Sequence, residues 1–204
     1  MRDVERRIRV ALILGSDREG RFGETVARWA AQQIQRRDEF ELDVIDPLDL
    51  ALPTRIQRRP PAQVLAYRER IDHADAFVLV VPEYNHGYTA ILKAMIDHAK
   101  EEWYAKPIAM VSYGGISGGL RAVEQLRLVF AELHAVTLRD TVSFHGARQQ
   151  FDQDGQPIHA DAVGAAMTTL LDRLVWWAEA LRQARESKPY VQPAERSNPV
   201  SVTR

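Results

Sequence analysis

Apolar runs alternate with amphipathic stretches along most of the chain. Residues 8–14 and 76–81 are almost continuously apolar, which is typical of strands buried on both faces of a parallel sheet. The stretches between such runs carry apolar residues at intervals of three and four, which predicts helices that bury one face. Strands are predicted at 8–14, 42–45, 76–81, 108–112 and 136–142, and helices at 24–37, 62–73, 90–98, 120–133 and 161–185.

The alternation of five strands with helices predicts an α/β fold with one doubly wound parallel sheet. For five strands the natural arrangement is the flavodoxin-like three-layer fold, with strand order 2-1-3-4-5 and right-handed crossovers. We expect residues 1–186 to form this single domain and residues 187–204, rich in proline and polar side chains, to form a flexible tail. Ligands of such sheets bind beyond the carboxyl ends of the strands, so the loops after the first, third and fourth strands form the candidate site.

The composition excludes several classes of function. The 204 residues include no cysteine, which excludes disulfide scaffolds, zinc ribbons and thiol catalysis. The net charge of -1 offers no basic surface for nucleic acid or for an anionic membrane. The charged start of the chain lacks the apolar centre of a secretion signal, so we expect a cytoplasmic protein without membrane segments. The histidines are scattered, and no spacing of histidines or carboxylates predicts a metal site.

The loop after the first strand, residues 15–23, runs directly into a predicted helix. Its hydroxyl and guanidinium groups, together with the backbone N–H groups of the helix start, favour binding of a phosphate. Gly15 and Gly20 have the spacing of a P-loop, but Arg21 and Phe22 stand where that motif needs a lysine and a hydroxyl residue. A terminal phosphate monoester therefore fits the loop better than nucleotide hydrolysis does, and an ordinary polar turn is the alternative.

Residues 82–88 and 112–119 form the loops after the third and fourth strands. The first of these places tyrosine and amide groups beside backbone groups that can face a planar heteroaromatic ring. The glycines of the second allow the backbone to approach a ligand closely. Taken singly, Tyr84 and Tyr88 are better explained as packing residues, so the second loop permits a site for a flat aromatic ligand without predicting it.

The loop at 112–119 also contains a formal G-x-S-x-G sequence around Ser117. On a strand-turn-helix this pattern is the nucleophile elbow of α/β-hydrolases, and Asp152 or Asp154 with His159 would complete the triad in chain order. This serine hydrolase reading leaves the loops at 15–23 and 82–88 without a role, and the chain is short for that fold. It is therefore the remote alternative.

The three loops together resemble a known family. Gly15-Ser16-x-Arg18-x-Gly20-Arg21-x-Gly23 looks like the phosphate loop of the NAD(P)H-dependent FMN reductases. Pro82-Glu83-Tyr84-Asn85 after the third strand is similar to that family's second loop. Ser112-Tyr113-Gly114-Gly115 and Gly118-Gly119-Leu120-Arg121 after the fourth strand are similar to its third. The resemblance extends from about residue 8 to residue 182.

The resemblance implies that these loops hold FMN, with its phosphate on the first, its isoalloxazine ring along the second and the third bordering the ring's other side. Many relatives carry serine and asparagine where this chain has Arg21 and Gly23, so the Arg21 side chain either contacts the phosphate or points to solvent. Asp17 is expected to point away from the phosphate. The residues expected to bind the cofactor are Ser16, Arg18, Arg21, Phe22, Gly23, Pro82, Glu83, Tyr84, Asn85, Ser112, Gly114 and Gly115.

The resemblance further implies hydride transfer from NADPH or NADH to the flavin N5 and onward to free flavin, a quinone or an azo compound. The reactive atom belongs to the cofactor, so no side chain is assigned as a catalyst. A homodimer, or a dimer of dimers, with FMN at the subunit boundary is expected. A flavodoxin-type electron carrier and a flavin-binding regulatory protein are the alternatives, and the nearly neutral charge argues against the acidic docking face of a carrier.

Overall fold

The computed structural model describes residues 6–190, and the end of the expected tail, residues 191–204, lies outside them. Strands and helices alternate in the predicted order. The strands are β1 (Ile8–Leu14), β2 (Phe40–Ile45), β3 (Ala76–Pro82), β4 (Pro107–Tyr113) and β5 (Val136–Phe144). The helices are α1 (Gly23–Gln35), α2 (Ala62–His73), α3 (Ala90–Asp97), α4 (Leu120–Glu132) and α5 (Ala160–Ser187).

The five strands form one parallel sheet in the order β2-β1-β3-β4-β5, which confirms the predicted topology. β3 lies at its centre and every residue of that strand is buried, which explains its unbroken apolar sequence. β2 forms one edge of the sheet, and its exposed and buried residues are mixed because helices cover it less completely.

Two hydrophobic layers, one on each face of the sheet, confirm the three-layer architecture. α1 and α5 cover one face, where Trp29 and Leu174 are buried against the strands. α2, α3 and α4 cover the other face, where Tyr67, Met95 and Phe130 are buried. The order 2-1-3-4-5 reverses direction between β1 and β3, and the loops that leave these two strands on the carboxyl side mark the switch point where ligands bind in such sheets.

Helix starts at this carboxyl edge differ in how their N–H groups are satisfied. Thr89 precedes α3 and its hydroxyl accepts the Leu92 N–H, as an N-cap should. α1 begins after Phe22 without any side-chain cap. α2 and α5 also begin without a side-chain cap, but the amino end of α1 directly follows the loop of the switch-point strand β1, where the sequence predicts a phosphate.

Within residues 6–190, no helix is both long enough and apolar enough to cross a bilayer. The final helix, α5, continues to Ser187, and beyond it the Tyr190 hydroxyl is hydrogen-bonded to Nδ1 of His134 at 2.8 Å. The first four residues of the expected tail, 187–190, thus continue the helix or contact the domain.

Candidate functional site

The loops after β1, β3 and β4 meet at the carboxyl edge of the sheet, and side-chain contacts join them. The hydroxyls of Ser16 and Tyr84 are hydrogen-bonded at 2.7 Å, which ties the first loop to the second. The Glu83 carboxylate accepts a hydrogen bond from the Ser117 hydroxyl, which ties the second loop to the third. The structure therefore brings together the three loops that the sequence singled out.

Gly15 fixes the path by which the chain leaves β1. Its N–H donates to the Val80 carbonyl at 2.9 Å, and its own carbonyl accepts the Thr89 hydroxyl at 2.6 Å. A Cβ atom at position 15 would lie 2.7 Å from the Val80 oxygen, so only glycine allows this approach. The contact from Thr89 to the first loop is a feature that sequence reasoning missed.

Unpaired donors cluster where the first loop enters α1. The backbone N–H groups of Phe22, Gly23 and Glu24 donate no hydrogen bond within residues 6–190, and the positive end of the helix dipole lies there. Arg18 is exposed, and in the same described part of the chain its guanidinium has no hydrogen-bond or ion-pair partner. Donors of this kind, arranged around a helix start, fit the phosphate of FMN. Asp17 is exposed.

The Arg21 side chain takes neither of the two positions expected for it. It is buried beneath the loop, where it donates to both carboxylate oxygens of Asp46, to the Ser16 carbonyl and to Glu24. Four of its five N–H groups are thereby occupied, so the side chain braces the phosphate loop from below. The Arg21 N–H is also committed, since it donates to the Arg18 carbonyl at 3.1 Å, so the role of Arg21 is to hold the loop.

Asp46, directly after β2, is a site residue that sequence reasoning missed. Burial would raise the pKa of its carboxyl, but hydrogen bonds from Arg21 and from the Leu48 N–H outweigh burial and hold the pKa below its usual value. Asp46 is thus ionised at neutral pH and anchors the first loop to the end of β2. The available signal was an acidic residue at the carboxyl end of a strand that neighbours β1.

The second loop is a tight two-residue turn held by its own backbone. The Tyr84 N–H donates to the Gly87 carbonyl at 3.0 Å, and the Gly87 N–H donates back at 3.2 Å. Asn85 and His86 between them both have positive φ, 48° and 73°, as a type I′ turn requires. The turn leaves the Asn85 and His86 side chains exposed and holds Tyr84 over Ser16.

Glu83 joins the second and third loops through its side chain. Its carboxylate is 7% exposed and accepts hydrogen bonds from the Ser117 hydroxyl, the Arg121 N–H at 3.2 Å and the Arg121 guanidinium at 3.0 Å. Burial would raise the pKa of Glu83, but these hydrogen bonds outweigh it and hold the pKa below its usual value. The Glu83 side chain is therefore committed to Ser117 and Arg121, which leaves its backbone to line the cofactor.

The same contact contradicts the serine hydrolase alternative. A nucleophilic serine needs a histidine base, whereas Ser117 donates to Glu83 and has no histidine partner within residues 6–190. Asp152 caps a turn by accepting the N–H groups of Asp154 and Gln156, and is not hydrogen-bonded to His159. The serine hydrolase hypothesis is wrong because Ser117 belongs to the hydrogen-bond network of Glu83 and Arg121.

The third loop uses its side chains inside the protein and presents its backbone. The Ser112 hydroxyl is fully buried and donates to the Gly118 carbonyl at 2.8 Å, so it holds the turn together. Gly114 has its N–H bonded to the Phe144 carbonyl. Gly115 is exposed, and a Cβ atom built there would meet no atom within 4 Å, so this glycine leaves open space beside the loop.

Gly23 and Tyr113 fit each other closely where the first and third loops meet. A Cβ atom at position 23 would lie 2.5 Å from the Tyr113 hydroxyl oxygen, so the buried tyrosine requires glycine at the start of α1. Phe22 packs edge-on against the Tyr113 ring and against Phe151, with ring centres 6.3 and 5.4 Å apart. The first and third loops are therefore joined by tight packing of Gly23 against Tyr113.

Comparison with known proteins places the chain among flavin reductases. The model of the NADPH-dependent FMN reductase family matches residues 8–149. An NAD(P)H:quinone oxidoreductase of Solanum tuberosum is 37% identical over 161 residues, which cover 72% of this chain and 81% of the relative. An NAD(P)H-dependent FMN reductase of Schizosaccharomyces pombe is 36% identical over 120 residues, which cover 54% of this chain but only 60% of the relative.

A solved structure shares the fold. The flavoenzyme FerB, an NAD(P)H:(acceptor) oxidoreductase from Paracoccus denitrificans, superposes with a TM-score of 0.71 at 22% identity. The match covers 85% of this chain and 98% of that one.

Proposed function

Because this chain belongs to the NADPH-dependent FMN reductase family, we propose that it is an FMN-dependent oxidoreductase that uses NAD(P)H to reduce a small acceptor. The acceptor class is free flavin, a quinone or an azo compound. Similar relatives are named as FMN reductases and as quinone oxidoreductases, which supports this range.

The observation that carries the proposal is the open start of α1. Three backbone N–H groups without partners in the described chain, at residues 22–24, lie beside the unpaired guanidinium of Arg18. A phosphate monoester would satisfy these donors and would be stabilised by the helix dipole. α5 also leaves its first N–H groups without partners, so what distinguishes the start of α1 is its place at the switch point of the sheet, with Arg18 in the preceding loop.

The remaining residues position the cofactor. FMN, when bound, supplies the N5 atom that accepts hydride from the nicotinamide. Tyr84 and Ser16 hold the second loop against the first, and Glu83 holds it against the third. The flavin ring would therefore meet a backbone fixed on both sides. A fixed set of N–H dipoles stabilises charge on a reduced ring without reorganising during the reaction.

We further propose that the protein works as a homodimer, or a dimer of dimers, in the cytoplasm, with residues 1–186 as the FMN-binding domain. Ile116, in the third loop, is 95% exposed, and Leu128 on α4 is 77% exposed. The exposed apolar side chain of Ile116, beside the binding edge, favours coverage by a second copy, and Leu128 adds exposed apolar surface further along α4. Residues 187–204 would follow the domain as a tail.

The absorption spectrum of the purified protein tests the proposal, followed by turnover of NADPH and NADH with a quinone. We expect flavin bands that are retained through gel filtration or restored by added FMN, and steady oxidation of reduced nucleotide. A protein that binds FMN but does not turn over without a separate reductase is an electron carrier or a regulatory protein. A protein that binds no flavin at all overturns the proposal.

A further inference from the structure

The connection between β2 and α2 exposes a short basic segment, residues 54–59, with the sequence Thr-Arg-Ile-Gln-Arg-Arg. All six of its residues are exposed. Within residues 6–190, the guanidinium groups of Arg55, Arg58 and Arg59 have no hydrogen-bond or ion-pair partner. Arg21 and Arg70, by contrast, are paired with the carboxylates of Asp46 and Asp43. The basic segment is therefore a local excess of positive charge.

The basic segment lies close to the predicted flavin site. Just before it, Leu52 packs against the core, and the Pro53 carbonyl is hydrogen-bonded to Nε2 of buried His98 at 2.8 Å. Thr54 and Ile56 then line a cavity of about 470 Å³ together with Tyr88. Tyr88 directly follows the turn at 84–87 that faces the first loop, so the cavity adjoins the second loop of the site.

The lysine and aspartate side chains that line this cavity are paired, whereas the arginines of the adjacent basic segment are not. On the wall, the Lys93 ammonium pairs with both oxygens of Asp97, at 2.6 and 2.7 Å. Arg55 lies in the sequence between the two lining residues Thr54 and Ile56, and Arg58 and Arg59 follow in the same exposed segment. An anion entering the cavity would thus meet guanidinium groups that nothing in the described chain neutralises. Ile56, which is 59% exposed, adds an apolar surface beside them.

We propose that Arg55, Arg58 and Arg59 form the subsite for the 2′-phosphate of NADPH, which makes the enzyme prefer NADPH to NADH. The inference rests on the proposed function. A hydride donor must place its nicotinamide at the flavin, and its adenosine end then extends outward past the second loop. The 2′-phosphate is the group that distinguishes the two nucleotides, and arginine suits it because its planar fork donates two hydrogen bonds to phosphate oxygens. Tyr88 and Ile56 provide apolar contact for the adenine.

Steady-state kinetics with both nucleotides test the subsite in the FMN-loaded protein. The variant is Arg55→Ala, Arg58→Ala and Arg59→Ala combined, which should leave folding unchanged because all three side chains are exposed. We expect the KM for NADPH to rise at least about tenfold, as loss of one charged hydrogen bond implies, and kcat to stay unchanged. The KM for NADH should change less than about twofold, because NADH carries no 2′-phosphate.

A matched control removes the same charge elsewhere. Arg28, Arg139 and Arg173 are exposed on α1, β5 and α5, away from the basic segment. Their combined replacement by alanine should leave the ratio of the two KM values unchanged. If both triple variants lower the preference for NADPH equally, the effect is one of net charge and the subsite is wrong. Equal losses for NADPH and NADH in the basic-segment variant overturn it as well.

Binding of adenosine fragments separates the subsite from the proposed function. Calorimetry with adenosine 2′,5′-bisphosphate and with 5′-AMP needs no turnover. We expect the wild type to bind the bisphosphate at least about tenfold more tightly, and the basic-segment variant to lose that difference. Equal affinities in the wild type overturn the subsite. Absence of turnover in a wild type that still prefers the bisphosphate would overturn the reductase proposal and leave the basic segment as a 2′-phosphate site.

Discussion

The two edges of the sheet use polar groups in opposite ways. At the amino edge, the buried Asp75 carboxylate accepts the Arg9 N–H at 3.0 Å and pairs with Arg6 at 3.2 Å. Arg182 and Arg185 reach it from α5, at 3.6 and 3.8 Å, and both also donate to backbone carbonyls. These contacts join the start of the chain, β3 and the last helix, so the amino edge is a closed network.

At the carboxyl edge the buried pairs serve the loops and leave other donors open. Arg21 with Asp46, and Glu83 with Arg121, are paired as closely as the groups at Asp75. Arg18 and the amino end of α1 have no partner in residues 6–190. The paired groups hold the loop backbones still, and the unpaired groups are then available to a ligand.

A cavity alone does not identify a ligand-binding site in this molecule. A cavity of about 390 Å³ lies at the amino edge, and its wall includes Asp75, Lys106 and Arg185. These charges already satisfy one another and nearby carbonyls, so a ligand would have to displace existing contacts. Open donors, more than open volume, distinguish the carboxyl edge.

The strongest test of the comparison is Asp75→Asn. The amide keeps an acceptor for the Arg9 N–H but removes the charge that three guanidinium groups face. Breaking a buried ion pair costs several kcal/mol, and we expect a loss of about 2–4 kcal/mol in the free energy of unfolding, because Arg6 is half-exposed. Urea unfolding measures it, and the affinity for FMN in the folded protein should not change.

Glu179→Gln is the control for Asp75→Asn, since Glu179 is an exposed acid on α5 without a partner in the described chain. It should change the unfolding free energy by less than about 0.5 kcal/mol. If Asp75→Asn weakens FMN binding while leaving stability unchanged, the amino edge binds the ligand and its polar network is not structural.

The opposite pattern is expected for Arg18→Ala at the carboxyl edge. Loss of a charged hydrogen bond to the phosphate should weaken FMN binding by about 1.5–3 kcal/mol, and the unfolding free energy of the protein without flavin should hardly change. Riboflavin, which lacks the phosphate, should bind both proteins equally. Titration of flavin fluorescence gives these affinities. An unchanged affinity for FMN would place the phosphate away from Arg18.

The sequence predicted features that depend on neighbouring residues better than features that depend on contacts between residues far apart in the chain. The limits of β1 and α2 were predicted to the residue because apolar periodicity is a local property. The role of Arg21 was not, because its partner Asp46 lies 25 residues along the chain and they meet only when β2 pairs with β1. Similarly, the contact of the Glu83 side chain with Ser117 could not be predicted, because the two residues lie 34 positions apart in the sequence.

A smaller effect on stability is expected where two residues at the carboxyl edge, Gly23 and Tyr113, pack closely together. Gly23→Ala brings a methyl group against the Tyr113 hydroxyl, and we expect a loss of about 1–2 kcal/mol in unfolding free energy from overpacking. In the Tyr113→Phe background the nearest remaining ring atom is 3.4 Å away, which is ordinary contact. The same substitution should then be neutral or stabilise by up to about 1 kcal/mol, since alanine favours the helix. A loss of equal size in both backgrounds would show that Tyr113 is not the obstacle.

The smallest expected effect concerns Lys106 at the amino edge, which makes the free energy of unfolding depend on pH. Burial lowers the pKa of Lys106 to about 8, with a smaller contribution from Arg185 and despite the neighbouring carboxylates of Asp72 and Asp75. Its amino group donates to the carbonyls of Ile71 and Asp72 at 2.8 and 2.7 Å, and the neutral amine keeps enough N–H groups for both bonds.

Since the unfolded chain holds this proton up to a pKa of about 10.4, it binds more protons than the native state above pH 8. Stability should therefore rise by about 1 kcal/mol between pH 7 and pH 9, relative to Lys106→Met, and stay level below pH 7. Urea unfolding across this range measures the difference, and Lys106→Arg, which keeps its charge throughout, should lack the rise. A difference that stays level from pH 7 to pH 9 would mean that the native state does not lower the pKa of the lysine, and the amino edge would then be an incompletely neutralised acidic site.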